Sequence, residues 1–201
     1  MIVYAIILLF FVIGMSVSIR YFVHLLDFLT AKFSSKGIKN GPWKTHLGAG
    51  RKQTSRIEKA AIARIGLGAN DSDETIYWNA FVDDEENDLR SENEYRIIFS
   101  SEPLVRYNDK GFWSITVYGN DKFLIPNPFY KYMLRRGENS GFNEDFRFSI
   151  LLSRNKPADP ENWIPLQVKD EKFTIAFRCY IPDNEMKTNS RNIKLPSIVK
   201  V

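Results

Sequence analysis

Hydroxyl, amide and guanidinium side chains recur in and beside predicted β-strands, and they are the residues most suited to hold a ligand. They are Tyr77, Ser114, Thr116, Tyr118, Asn127, Arg178 and Tyr180. If the strands that carry them adjoin, Arg178 and several hydroxyls line one concave face. Aromatic rings with a few fixed hydrogen-bonding groups suit a sugar or another polar small ligand. The alternative is a satisfied polar network that only closes the protein surface. Asn127 before Pro128 is also typical of a turn whose amide bonds local backbone.

Other candidate chemistry is weaker. The acidic run Asp83–Glu86 offers oxygen ligands for a hard cation, but it lacks the spacing and glycine of a calcium loop. A solvated hairpin tip is therefore the favoured interpretation. His24 and His46 are too isolated for a metal pair or a triad, and Cys179 is predicted to be a buried, inert thiol. The sequence thus predicts no catalytic residue, no metal site and no cofactor.

The strongest structural signal runs from Phe112 to Pro128. Apolar and polar residues alternate up to Tyr118, as in a β-strand with two different faces. A turn at Gly119–Asp121 follows. The predicted strands are Thr75–Val82, Tyr95–Phe99, Phe112–Tyr118, Phe123–Ile125, Phe146–Leu152 and Phe173–Tyr180. Several short strands with turn signals between them predict a β-sandwich or jelly roll.

One helix is predicted before these strands, at Thr54–Leu67. Ser55 and Glu58 have the spacing of a capping box, and Ile57, Ala61 and Ile65 form a narrow apolar stripe. We expect this stripe to pack across one sheet or one end of the sandwich.

The N-terminal segment has the pattern of a membrane-spanning helix. The first nineteen residues contain no charged residue or histidine. Ile2–Ile19 would span roughly 27 Å as a helix, close to the hydrocarbon thickness of a bilayer. A cleaved signal peptide is the alternative, although no positive region precedes the apolar run. Arg20 and Lys32 follow the run and favour a cytoplasmic domain, but long domains translocate regardless of flanking charge.

Charge gives little guidance on partners. The formal net charge is +4, and basic residues concentrate in Lys32–Arg64 while Asp71–Glu94 is acidic. A basic segment beside a membrane attracts anionic headgroups, and ordinary solvated surface is the alternative. No basic and aromatic module typical of nucleic-acid binding is present, so no nucleic-acid partner is predicted.

Several separated motifs resemble a bacterial family known as domain of unknown function 1214. The central one is the stretch FWSITVYGNDKFLIPNP at Phe112–Pro128. The others, in order, are Gly41–Trp43, Arg64–Ala69, Glu74–Tyr77, Pro160–Pro165 and Phe177–Pro182. The resemblance covers roughly Gly41–Val201, and it implies a jelly-roll-like β-sandwich in a bacterial envelope, on the periplasmic side. It implies no activity.

Together these features predict an all-β, jelly-roll-like sandwich with one preceding α-helix and an N-terminal transmembrane helix. The predicted divisions are a membrane anchor with juxtamembrane helix at 1–30, a basic linker and irregular segment at 31–53, and the sandwich domain with its helix at 54–201. The predicted function is a non-catalytic, inner-membrane-anchored envelope protein that binds a polar, carbohydrate-like ligand or a protein partner. The alternative is an enzyme that acts on a carbohydrate or envelope polymer.

Overall fold

Two open β-sheets follow a long N-terminal helix in the computed structural model of the chain. The structure describes residues 2–35, 37–48, 50–51, 54–66, 69–99, 107–137, 148–167 and 169–201. The helices are α1 (Ile2–Ser35), α2 (Arg56–Ile65) and α3 (Asn184–Thr188). The strands are β1 (Ile38–Asn40), β2 (Trp43–Thr45), β3 (Thr75–Ala80), β4 (Tyr95–Phe99), β5 (Tyr107–Gly119), β6 (Met133–Gly137), β7 (Phe148–Ser153), β8 (Trp163–Pro165), β9 (Phe173–Pro182) and β10 (Ser197–Lys200).

The larger sheet has the strand order β1-β2-β3-β9-β5-β6, and its neighbours are antiparallel. The smaller sheet has the order β10-β4-β7-β8. Its pairs are antiparallel except for β7 and β8, which run parallel. β9 lies between β3 and β5, so the strand that carries Arg178 is central in the larger sheet.

Both sheets contribute to one hydrophobic core. Trp113 on β5 stacks on Phe99 of β4, with ring centroids 4.8 Å apart, and Phe177 on β9 meets Phe99 edge-on at 6.3 Å. Ile115 and Ile150 are completely buried in the same cluster. The alternation predicted for the strands thus places one face of each sheet in the core, because successive strand residues point to opposite faces.

The sequence predicted most of the central strands. Tyr95–Phe99 is confirmed as β4, and the predicted strands at Phe112–Tyr118 and Phe173–Tyr180 lie within β5 and β9. The predicted strand at Phe123–Ile125 is wrong, since only Leu124 forms a bridge there, with Tyr118. Asp121 Oδ1 accepts a hydrogen bond from the Phe123 N–H at 3.0 Å, and this local turn removes that N–H from strand pairing. Residues 146–147 of another predicted strand lie outside the described residues.

The segment predicted as a linker, 31–53, is partly ordered in the sheet. β1 and β2 form a hairpin, and β2 pairs with β3. Trp43 is completely buried, and its indole Nε1 donates to the Pro196 carbonyl at 2.7 Å. Three-residue strands are too short for an alternation pattern to reveal, which explains the error. The wider division into three segments stays a prediction.

The predicted capping box is confirmed at the start of α2. The Ser55 side chain accepts from the Glu58 N–H, and the Glu58 carboxylate accepts from the Ser55 N–H. The expected packing is not found, because α2 makes its main contact with α1 and Ile57 is 59% exposed. Ala61 and Ile62 are the residues that α2 buries. Of the predicted stripe, Ala61 is buried and Ile57 is exposed, and the side chain of Ile65 lies outside the described residues.

α1 is long and apolar. Its stretch Val3–Lys32 has the length and composition of a membrane-crossing helix, and its most apolar window has no buried residues. Thirty residues of helix extend about 45 Å, more than the ~30 Å hydrocarbon core of a bilayer. A signal sequence near an N-terminus meets the same criteria. The coarse architecture is therefore mostly β with an N-terminal apolar helix, and the jelly-roll-like connectivity stays a prediction.

Candidate functional site

The candidate residues gather on the outer face of the larger sheet. Trp113, Ile115 and Val117 of β5 belong to the core, so Ser114, Thr116 and Tyr118 point the other way. The same alternation on β9 sends Arg178 and Tyr180 outward, and on β3 it sends Tyr77 outward. We call these six residues the Arg178 face: Tyr77, Ser114, Thr116, Tyr118, Arg178 and Tyr180.

One row of this face crosses four strands. Tyr77 pairs with Arg178, Arg178 pairs with Ser114, and Ser114 pairs with Arg135. Directly paired residues of antiparallel strands have side chains on the same face, with Cβ atoms about 5 Å apart. Ser114 therefore lies between two arginines on neighbouring strands. Arg135 was not predicted as a site residue, because β6 gives no clear strand signal in the sequence.

The Arg178 guanidinium is fixed by hydroxyl groups. Its Nη1 donates to Thr116 Oγ1 at 3.0 Å, and its Nη2 donates to Tyr118 Oη at 2.8 Å. Its central carbon lies 5.5 Å from the ring centroid of Tyr118 and 5.9 Å from that of Tyr77. Two hydrogen bonds and two aromatic rings hold the cation in one place, which is a requirement for a binding group.

Three hydroxyl groups of the face accept hydrogen bonds within the protein and can still donate one to another group. A guanidinium has no acceptor, so Thr116 and Tyr118 only accept from Arg178. The Tyr77 oxygen likewise accepts from the Asn70 N–H at 2.8 Å. Each of these three groups retains an O–H that can donate to a ligand.

Ser114 has a different status. The residue is 1% exposed, and its Oγ is buried without a hydrogen-bond partner among the described residues. Buried hydroxyls are normally hydrogen-bonded, so Ser114 Oγ has unused hydrogen-bonding capacity, as do Thr45 Oγ1 and Trp78 Nε1 elsewhere among the described residues. Ser114 is one of the residues that the sequence predicted for ligand binding, with a structural strand serine as the alternative.

Aromatic residues border this row. Phe112 and Tyr180 stack with centroids 4.2 Å apart and planes 14° from parallel. The Arg135 guanidinium carbon lies 5.9 Å from the Phe112 centroid. Phe112, Tyr180, Tyr77 and Tyr118 are each partly exposed, whereas Ser114, Thr116 and Ala176 are buried. Small buried residues thus lie between larger, accessible rings.

Asn127 does not join the face. Its side-chain oxygen accepts from the backbone N–H groups of Phe129 and Lys131, and its Nδ2 donates to the carbonyls of Ile125 and Lys131. The interpretation as a turn residue is confirmed. All four bonds organise the connection between β5 and β6.

The acidic run has structural roles in the connection after β3. Asp83 is buried, and its Oδ1 accepts from the backbone N–H groups of Glu85 and Asn87. Lys39 pairs with Glu86 at 2.5 Å and lowers the pKa of that carboxyl, mainly through the side-chain hydrogen bond. The expected solvated hairpin tip is therefore wrong for Asp83, which is buried. No group of three or more His, Cys, Asp or Glu suited to a metal occurs within the described ranges.

Cys179 is buried in the core opposite the face. Burial raises the pKa of its thiol to about 12, with a smaller contribution from Asp183. His24 lies on α1 and His46 follows β2, so they belong to separate elements. None of these residues contributes to the Arg178 face.

Residues 74–184 match the model of a family described as "Protein of unknown function (DUF1214)". This match spans β3 to the start of α3, including every strand of the Arg178 face. The chain belongs to the DUF1214 family. No curated protein matches it.

A solved structure from Vibrio parahaemolyticus shares this fold. The VPA0106 protein from Vibrio parahaemolyticus has a TM-score of 0.59 and 19% sequence identity, over 92% of this chain and 44% of its own length. An uncharacterised protein from Burkholderia cenocepacia has a TM-score of 0.41 and 15% identity, over 92% of this chain and 42% of its own. The DUF1214 chain thus spans less than half the length of these proteins, and the first of them supports the fold alone.

Proposed function

We propose that this DUF1214 protein is a membrane-tethered, non-catalytic binding protein that holds a polar small ligand on the Arg178 face. The observation that carries the proposal is the fixed position of the Arg178 guanidinium. It is held by Thr116 and Tyr118 and flanked by two tyrosine rings. Preorganised donors between aromatic rings are the usual equipment of a small-ligand site.

The role of a closed structural network is less well supported. A network that only seals the surface has its polar groups paired. On this face Ser114 Oγ has no partner within the described residues, and only two of the five N–H groups of Arg178 donate to a described acceptor. Unused hydrogen-bonding capacity of this kind favours an external ligand.

An enzyme acting on a carbohydrate is the second candidate class, and the Arg178 face lacks the side chains that such an enzyme needs. Glycosidases use two carboxyl groups on opposite sides of the scissile bond. The outward residues of β3, of β9, of residues 112–119 of β5 and of residues 133–135 of β6 include no aspartate or glutamate. Binding without catalysis is therefore the function that these residues support best.

The location completes the proposal. α1 serves as an uncleaved, single-pass anchor in the inner membrane, and the sandwich, with jelly-roll-like connectivity, lies on the periplasmic side. The exposed apolar surface and the length of α1 support the anchor. The periplasmic compartment is carried over from the motif resemblance described in the sequence analysis. A protein partner in the envelope remains the alternative occupant of the face.

A ligand screen on the full chain in neutral detergent micelles tests the proposal. A ligand that binds only the folded state adds about 2.7 kcal/mol of stability at a hundredfold excess over its Kd. For a domain of this size, that raises Tm by roughly 5–10 °C. The panel contains sugars, envelope fragments and lipid headgroups.

The screen is repeated with two matched variants. Arg178→Ala removes the central cation and should reduce the shift by about half or more, as expected for a Kd at least tenfold higher. Arg96→Ala is the control, because Arg96 lies on β4 of the other sheet and also donates to a hydroxyl, Ser149 Oγ at 3.2 Å. An equal shift in wild type and both variants would exclude the Arg178 face as the binding site.

A further inference from the structure

We infer that the ligand carries an anionic group, a carboxylate or phosphate-type oxyanion, which is bound over Ser114 between Arg178 and Arg135. This inference rests on the proposed function and defines its ligand class. It follows from the placement of the two arginines, from the balance of donors and acceptors, and from the pairing of acidic residues elsewhere.

The two arginines flank a single point on the sheet. Arg178, Ser114 and Arg135 are consecutive in one row across β9, β5 and β6. Neighbouring strands are about 4.8 Å apart, so the Arg178 and Arg135 backbones are roughly 10 Å apart with Ser114 midway. Long side chains reach neighbours at such distances on one face. The Arg178 guanidinium lies on the Thr116 and Tyr118 side of Ser114, and the Arg135 guanidinium lies beside Phe112 on the other side. An oxyanion above Ser114 would thus be approached by one guanidinium from each side.

The described part of the face is rich in donors and poor in acceptors. Arg178 and Arg135 only donate. Thr116 Oγ1 and Tyr118 Oη already accept from Arg178, and each has a proton left to donate. Ser114 Oγ has no partner in the described residues either, but it is buried beneath this surface and is not counted among the donors that a ligand meets. A carboxylate or phosphate offers acceptors only, so it complements this set better than a neutral sugar hydroxyl does.

The charge of Arg178 is not neutralised by the described residues. Other cations have carboxylate partners: Lys39 with Glu86, Arg90 with Glu92, Arg154 with Asp170, and Lys172 with Asp88. Among the side chains that the structure describes, which do not include Asp109 on β5, no carboxylate forms an ion pair with Arg178 or Arg135. A partly buried charge normally has a partner, and an anionic ligand supplies it.

The test compares matched anionic and neutral ligands by calorimetric titration of the full chain in neutral, phosphate-free micelles. One pair is glucuronate and glucose, and the other is glycerol 3-phosphate and glycerol. We expect the anionic member of at least one pair to bind at least tenfold more tightly than its neutral partner. Preference for glucuronate indicates an acidic sugar, and preference for glycerol 3-phosphate indicates a phosphate headgroup.

Variants connect the preference to the site. Arg135→Gln should weaken binding of the anion about tenfold and leave the neutral member unchanged, whereas Arg96→Gln should change neither. Added salt should weaken binding of the anionic ligand and leave binding of the neutral ligand unchanged. Anion binding that is insensitive to both Arg135→Gln and Arg178→Gln would overturn the assigned position.

The failure of the inference is distinguishable from failure of the proposed function. If glucose or glycerol binds as tightly as its anionic partner, and Arg178→Gln weakens both equally, the site binds polar ligands without charge selection. The binding function then stands and the anion inference is overturned. If no member of either pair and no member of the wider panel binds, both are overturned.

Discussion

The Ser114→Ala variant tests whether the Ser114 hydroxyl is unpaired in the folded protein or already hydrogen-bonded to it. The Oγ atom lies in a residue that is 1% exposed and has no partner within the described residues. A buried hydroxyl without a hydrogen bond costs about 1–3 kcal/mol of folding free energy. Ser114→Ala removes that cost and leaves only the small cavity of one oxygen atom. We expect the free energy of unfolding to increase by about 1 kcal/mol.

Ser153→Ala provides a matched comparison on the other sheet. Ser153 is also a strand serine, also 1% exposed, but its Oγ donates to the Asn155 carbonyl at 2.7 Å and accepts from Trp163 Nε1 at 3.1 Å. Loss of these bonds should lower the free energy of unfolding by about 1–2 kcal/mol. The two variants thus have the same chemical change and opposite expected signs.

The assay is thermal unfolding of the full chain in micelles, with tryptophan fluorescence as the signal. For a chain of this size, 1 kcal/mol corresponds to about 2–4 °C in Tm. Ser114→Ala should unfold at a higher temperature than wild type. If Ser114→Ala lowers Tm as much as Ser153→Ala does, the Ser114 hydroxyl is already paired in the protein, and the inference of unused hydrogen-bonding capacity on the Arg178 face is wrong.

Three further predictions concern other parts of the molecule. Burial raises the pKa of Cys179 to about 12, so iodoacetamide at pH 8 should label the thiol only after denaturation; labelling of the native chain would contradict its position in the core. Ser55→Ala should lower the free energy of unfolding of α2 by about 1 kcal/mol through loss of the N-cap, with no loss in amide exchange protection of α2 as the contrary result. Lys39 lowers the pKa of Glu86, so this pair contributes stability above the unfolded pKa of the carboxyl and loses it as pH falls through the folded value. NMR titration of Lys39→Met should show the Glu86 pKa rising toward its ordinary value.

Alternation in long strands was the most informative property of the sequence. It placed Ser114, Thr116 and Tyr118 on one face of β5 because the residues that precede them are the apolar residues Trp113, Ile115 and Val117, which the core buries. The adjacency of β3, β9 and β5 was only a condition in that argument, since strand order depends on connections far apart in sequence. The structure supplies it, and with it the contacts of Arg178.

Two features could not be predicted from the sequence, for different reasons. Arg135 lies on an edge strand with one short alternation, and its significance depends wholly on its pairing with Ser114. α2 was assigned correctly from its capping box, but its buried side is set by α1, an element that periodicity within α2 cannot reveal. Local signals determine where elements begin, and tertiary contacts determine which side is buried.

The most direct test of the central claim is a titration of wild type, Arg178→Ala and Arg96→Ala with the ligand that gives the largest thermal shift. The account predicts one saturable isotherm for wild type and for Arg96→Ala, with a Kd at least tenfold higher for Arg178→Ala. Lysine at position 178 should restore part of the affinity for an anion, because it returns the charge without the two-pronged geometry. Indistinguishable isotherms for all three proteins would contradict the claim that the Arg178 face binds the ligand.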